Sequence, residues 1–304
     1  MLKIVLVMLS SLVLFTAGCG LTATSTPIAI QPTSVPTLTI QLVSSPVSTA
    51  VASTVVPVSC DDWQAWPVVP SVSQTGRELY QRGQASGNHA HAFSKIGDGE
   101  ISTAWFLTAF DLGPQHYELG AHQDLSPVIE HFAGSFERIG LAAKRGFNTH
   151  RILDPSSNIA APCESGESPL TCELRLHRPA FAILSLGTNQ AWQPDEFEAG
   201  MRQILDILLA RNVVPILSTK GDNLEGDHRI NHIVACLAQE YDVPLWNFWA
   251  AIQPLPNHGL QPDLEHLTYG VPDFSNSKAM QTAWTVRNLT ALQALDAVWR
   301  GVNP

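Results

Sequence analysis

The stretch Ala180-Phe181-Ala182-Ile183-Leu184-Ser185-Leu186 is almost wholly apolar and stops at Gly187. A short, non-alternating apolar run ended by glycine is the profile of a strand buried on both faces. After it, Pro194 to Arg211 carries Phe197, Met201, Leu205 and Leu208 at helical spacing. Val213 to Ser218 repeats the strand profile, and Asp227 to Tyr241 repeats the helical one with Ile230, Ile233, Val234 and Leu237. Val243 to Phe248 reads as a further strand and Asn276 to Trp299 as a long closing helix. Upstream, Ala92 to Ile96 and Phe136 to Ala142 are weaker strand candidates. Strands alternating with helices imply a three-layer α/β/α sandwich around a mostly parallel, flavodoxin-like sheet of about five strands. In such sheets ligands bind beyond the carboxyl ends of the strands, so the residues just after each strand carry the functional information.

The front of the chain has a different character. Lys3 is followed by an apolar run from Ile4 to Phe15, too short to span a bilayer comfortably, and then by Thr16-Ala17-Gly18-Cys19. This pattern resembles a bacterial signal peptide with a lipobox, in which Cys19 is lipidated and becomes the new N-terminus. An ordinary secretory signal is the alternative, and either sends the chain out of the cytoplasm. From Leu21 to Ser59 there is no Asp, Glu, Lys or Arg, and Pro27, Pro32, Pro36, Pro46 and Pro57 recur among Thr, Ser and Val. Such a segment cannot bury a core and reads as a semi-extended spacer. The expected organisation is therefore signal peptide and lipobox at 1–19, linker at 20–59 and one globular domain at 60–304. The lipid anchor is the expected contact with the membrane.

The net charge of −10 argues against a nucleic-acid partner, which needs a basic face. Cys60, Cys163, Cys172 and Cys236 remain in the expected mature domain. An even count in an exported chain suggests disulfides, with three connectivities possible. The turn-rich loop between Cys163 and Cys172 closes easily on itself, which leaves Cys60 for Cys236. No CxxC pair supports a zinc site, and His89 and His91 are too weak a pair to assign a metal, so no metal or cofactor is expected.

Four strand-end segments form an ordered set: Ile96-Gly97-Asp98-Gly99, Lys144-Arg145-Gly146-Phe147-Asn148, Leu186-Gly187-Thr188-Asn189 and Asp263-Leu264-Glu265-His266-Leu267-Thr268. Each alone has an ordinary reading as a tight turn or a helix cap. In this order they resemble the SGNH (GDSL-type) hydrolases, whose pattern is Gly-Asp-Ser, a glycine, Gly-x-Asn and Asp-x-x-His. The resemblance runs from about Ala92 to Thr268 and implies ester hydrolysis by acyl transfer. It makes His266 the base, Asp263 its orienter, and Gly146 and Asn189 donors to the oxyanion.

One position departs from that pattern. Gly99 stands where the family has its nucleophilic serine, and glycine cannot form an acyl-enzyme. Ser102, three residues on, is a candidate replacement, and Asp98 is a candidate base for water. Lys220, Asp222 and Asn223 follow a strand and are candidate binders of substrate hydroxyls or carboxylates. Trp246 and Trp249 follow another strand, where indoles either stack on a sugar or fill the core. Two functions follow from these residues. One is a cell-surface esterase or deacylase acting on a small-molecule or glycan ester, with a replacement nucleophile or activated water. The other is a catalytically silent lipoprotein that binds a glycan or peptide in the inherited cleft.

Overall fold

The computed structural model describes residues 59–157 and 162–303; the expected signal peptide, Cys19 and almost all of the linker lie outside the described residues. Four strands form one parallel sheet in the order β1 (His89–Gly97), β2 (Pro179–Ser185), β3 (Val214–Ser218) and β4 (Leu245–Trp246). Phe93 pairs with Phe181 and Ile96 with Leu184, while Ala182 pairs with Pro215 and Ser185 with Ser218.

The all-apolar reading of β2 is explained by its two faces. Phe181 and Ile183 point into one core, shared with Leu79 and Tyr80 of α1 (Gln74–Ala85). The short α2 (Gly99–Ser102) and α3 (Ser126–His131) add Ile101, Val128 and Ile129 to that core. Ala182 and Leu184 point into the other core, with Ile152 of α4 (Thr149–Leu153) and Leu174 of α5 (Pro169–His177). Met201, Leu205 and Leu208 of α6 (Pro194–Ala210) and Val234 and Leu237 of α7 (Arg229–Glu240) complete it. Phe248 and Ile252 of α8 (Phe248–Ile252) and Leu292, Leu295 and Val298 of α9 (Ala283–Val302) return to the first core. Helices therefore cover both faces of the sheet, as the alternation of elements implies.

Three expectations are revised in detail. Phe136 to Ala142 forms no strand. It forms no ladder with β1: the backbones meet at an isolated bridge between Gly97 and Ala143, with the Gly97 N–H donating to Ala142 O (3.0 Å) and the Lys144 N–H to Gly97 O (3.1 Å), and side chains reach across, Lys95 Nζ donating to Phe136 O (2.8 Å) and Arg138 Nη2 to Phe93 O (3.0 Å). Gly140 lies so close to the Lys95 carbonyl that an added Cβ would approach it to 2.5 Å, which bends the chain away from a regular ladder. The fourth strand keeps two residues because the Asn247 side chain caps α8, accepting from Ala250 N. The closing helix begins at Ala283, after a separate turn at Ala279–Gln281.

Both expected disulfides form, Cys60–Cys236 and Cys163–Cys172. The first ties the turn Cys60–Ala65 to α7, where Trp63 is buried against Trp249 with ring centroids 4.9 Å apart. No helix among the described residues is long and apolar enough to cross a membrane.

Candidate active site

Three of the ordered motifs arrive at the carboxyl edge of the sheet, and the fourth comes to them from a loop. β1 ends at Gly97, whose φ of 153° and close approach to Ser185 O admit no side chain; an added Cβ would lie 2.0 Å from that oxygen. The sharp exit sends Asp98 to cap α2, its Oδ1 accepting from the Glu100 N–H at 3.2 Å. Gly146 lies in the loop after the Ala143 bridge, and Asn189 in the turn after β2. Residues 261–269 bring His266. Asp98, Gly99, Gly146, Asn189 and His266 all line one cleft of about 510 Å³.

Asp263 and His266 form a hydrogen-bonded carboxylate–imidazole pair. His266 Nδ1 lies 2.8 Å from Asp263 Oδ2. An ionised carboxylate only accepts, so Nδ1 carries the proton and Nε2 keeps its lone pair for the cleft. Asp263 Oδ1 also accepts the N–H groups of His266 (3.0 Å) and Glu265 (3.1 Å). These two backbone bonds, then the imidazole, hold the Asp263 carboxyl down at about 2, so it stays charged across the working range. Leu264, between them, takes a left-handed backbone with φ 59°, which lets the loop fold back on itself.

The opposite wall is built from buried charge. Asp98 is 4% exposed, and burial first, then the charge of Glu100, push its carboxyl up to about 7. Burial likewise raises Glu100, the nearby charge of Arg287 opposing it. Arg287, fully buried on α9, donates from Nη2 to Ser185 Oγ (2.8 Å) and lies among the rings of Phe248, Phe106 and Trp246, 4.5 to 5.1 Å from their centroids. Its Nη1 is 3.6 Å from Glu100 Oε2, and neither Nη1 nor Nε has a hydrogen bond.

Gly99 itself is open. Its backbone lies outside the left-handed region, and an added Cβ would meet only Arg145, at 3.7 Å from Cγ. The fold does not force glycine here. The Ser102 hydroxyl turns back along its own helix to the Gly99 carbonyl (3.5 Å) and does not line the cleft. Asn189 Nδ2 donates to Phe147 O at 2.9 Å, leaving its second N–H free to serve the cleft.

Lys220, Asp222 and Asn223 do not line the cleft either. Lys220 is 2% exposed and Asp222 1%; they are ion-paired to each other, and Lys220 also reaches Glu225 Oε2 at 2.7 Å. Asn223 Oδ1 accepts from His228 N. The contribution of this network is indirect, since Asp222 Oδ2 accepts from the hydroxyl of cleft-lining Thr188 at 2.7 Å. Trp246 is fully buried core, and Trp249 packs on Trp63. The aromatic groups that do reach the cleft are Trp105, Tyr269 and Trp284. Trp105 and Tyr269 are 47% and 62% exposed with centroids 5.5 Å apart, and no local sequence pattern marks them. Glu100 and Glu265 were legible only as neighbours of the motif residues.

No protein-family model matches the chain. Over 110 residues, 34% of the chain, it is 30% identical to the thioesterase 1/protease 1/lysophospholipase L1 of Escherichia coli strain K12, and equally to that of strain O6:H1. The match covers 53% of those proteins, so the chain spans about half the length of the curated relatives it matches. Among solved structures, a GDSL-like lipase from Bacteroides thetaiotaomicron is similar with a TM-score of 0.40 and 13% identity, over 73% of this chain and 97% of that one. A protein described as an acylhydrolase from Bacteroides fragilis is similar with a TM-score of 0.43 and 12% identity, over 76% and 100%. In its α/β architecture, the order of its strand-end motifs and this partial sequence match, the chain resembles the SGNH (GDSL-type) hydrolases.

Proposed function

We propose that the chain is an exported ester hydrolase, lipid-anchored through Cys19, in which water attacks the acyl carbon in place of a serine hydroxyl. The observation that carries this reading is the Asp263–His266 pair, hydrogen-bonded at 2.8 Å and serving a cleft whose Gly99 offers no side chain. His266 Nε2 removes a proton from water held beside Gly99, and Asp263 stabilises the imidazolium that forms. The N–H groups of Gly99 and Gly146 and the Asn189 amide receive the oxyanion. A glycan ester suits the Trp105–Tyr269 pair, on whose faces a sugar ring can stack.

A second reading, a silent glycan- or peptide-binding lipoprotein, is favoured by Gly99 alone. The purified chain separates the two. Slow turnover of an acetylated oligosaccharide, lost in His266→Ala, with no labelling by a fluorophosphonate, supports the water route. Turnover no faster than buffer, with the sugar still retained, sinks it in favour of the binder. Labelling would instead expose a serine nucleophile, Ser102 first. Mass spectrometry of the mature N-terminus tests the anchor; a start elsewhere than acylated Cys19 removes it.

A further inference from the structure

Two of the donors that would receive the oxyanion come from separate segments, Gly146 from the loop after the Ala143 bridge and Asn189 from the turn after β2. A donor stabilises an oxyanion only from about 2.7 to 3.1 Å, so the spacing between those segments has to be closely held. Packing does not hold it at Gly146, where an added Cβ would find nothing within 4 Å. Hydrogen bonds hold it instead. On the β1 side the Lys144 N–H donates to Gly97 O (3.1 Å), and the Phe147 N–H closes the turn onto Lys144 O (3.0 Å). On the β2 side two consecutive side chains reach across the gap. Asn189 Nδ2 donates to Phe147 O, and Gln190 Oε1 accepts from the Thr149 N–H, each at 2.9 Å.

We propose that Gln190 is a positioning residue of this cleft: it clamps the 144–149 loop to the turn after β2 and so sets the distance between the Gly146 N–H and the Asn189 amide. The inference rests on the hydrolase reading above. Gln190 does not line the cleft and is 3% exposed, so it acts through the loop and touches no reacting atom. Its partner, the Thr149 N–H, opens α4 in a residue that is 1% exposed. The first N–H groups of a helix have no partner within it, and a buried one left unpaired costs more than its hydrogen bond is worth. Without the Gln190 oxygen the start of α4 has to turn toward another acceptor, and Phe147 and Gly146, two and three residues earlier, move with it.

The other jaw of the clamp is fixed. The Gln190 N–H donates to Gly187 O and its carbonyl accepts from the Gln193 N–H, both at 2.9 Å. Two residues earlier the Thr188 hydroxyl donates to Asp222, which is buried in the segment after β3. Thr188, Asn189 and Gln190 thus join the turn after β2 to the β3 side and to the 144–149 loop. Of the three, Gln190 has the side chain that holds the loop without itself facing the cleft.

The test is steady-state hydrolysis of 4-nitrophenyl acetate by the parent and three variants, at a temperature where thermal melting shows each of them folded. Gln190→Leu removes the acceptor and keeps the bulk. Its kcat should fall about tenfold with KM within about twofold, since a transition-state contact is misplaced while substrate binding is kept. Gln190→Glu retains an accepting oxygen and should recover most of that loss. Thr149→Pro guards against a Gln190→Leu chain that does not fold. Proline suits the first position of a helix, Asn148 before it is already extended, and the donor is removed without leaving an unpaired N–H. It should lower kcat as Gln190→Leu does. An unchanged kcat in both unclamped variants, a loss confined to KM, or a loss that Gln190→Glu fails to recover overturns the clamp and leaves the hydrolase reading standing. A parent that turns over neither this ester nor an acetylated oligosaccharide removes the hydrolase reading, and the clamp with it.

Discussion

The two walls of the cleft are built on opposite principles. The wall of residues 261–269 is exposed and fully bonded: the side chains of Asp263 and His266 are 49% and 59% accessible, and each oxygen of the Asp263 carboxylate has at least one donor. The β1 wall is buried and under-bonded, with Asp98 and Glu100 raised, Arg287 short of partners and no side chain at residue 99. A solvated pair tolerates change because water replaces what is lost, whereas buried charges depend on each other. The hydrogen-bonded Asp263–His266 pair thus stands on the solvated wall, and the position without a side chain, Gly99, on the buried one.

The largest effect should come from making the walls alike. Gly99→Ser adds a hydroxyl where the backbone permits a side chain and only Arg145 stands near. Turnover of an activated ester should rise by about 10³-fold or more, fluorophosphonate should now label the chain, and His266→Ala should abolish both. No gain from the serine would mean that the two walls are not in register for attack.

A smaller effect sharpens the contrast in burial. Asp98 holds its proton up to about 7 in the folded chain against 3.8 for the free group, so between those values the native state binds more protons than the unfolded one. Stability accordingly falls as pH rises through that window. Asp98→Asn keeps the cap and removes the charge. It should melt like the parent at pH 4 and be more stable at pH 8, by at most about 4 kcal/mol. A melting difference independent of pH would show that Asp98 carries no burial cost.

The smallest effect lies outside both walls. Cys163→Ala with Cys172→Ala opens a loop of sequence separation 9. It should cost about 2.5 kcal/mol on thermal unfolding and leave turnover unchanged. A loss of turnover at a temperature where the variant stays folded would link that loop to the cleft.

The legible and illegible parts of the molecule divide on the same physical line. β2, β3, α6 and α7 were readable because each buries its own apolar periodicity. The Phe136–Ala142 segment has the apolar content of a strand, but its course is set by Gly140 against β1 and by Arg138 reaching Glu173, contacts between residues far apart in sequence. Gly99 and Asn189 could be placed together because a strand end fixes where the next residue goes, whereas Gly146 and His266 follow no strand and were placed by their order in the motif set. Lys220 and Asp222 also follow a strand, yet they turn inward, since a lysine two residues before an aspartate looks the same whether solvated or buried. Arg287 was unreadable for a similar reason. It occupies a position in an apolar helix where only the surrounding rings reveal why a cation is tolerated.

The Cys60–Cys236 bond also makes the domain a mechanical object. It joins two points 176 residues apart, and β1, β2 and β3 all lie within the closed ring. A pull entering the chain at Ser59 passes across the sulfur atoms into α7 and on toward β4, bypassing the ring. Three of the four strands are therefore shielded from tension along the chain, and with them every cleft residue that precedes α7. The loop that carries Asp263 and His266 lies on the loaded side. β4 shares that side, so the last strand and the 261–269 loop both carry whatever tension runs along the chain beyond Cys236.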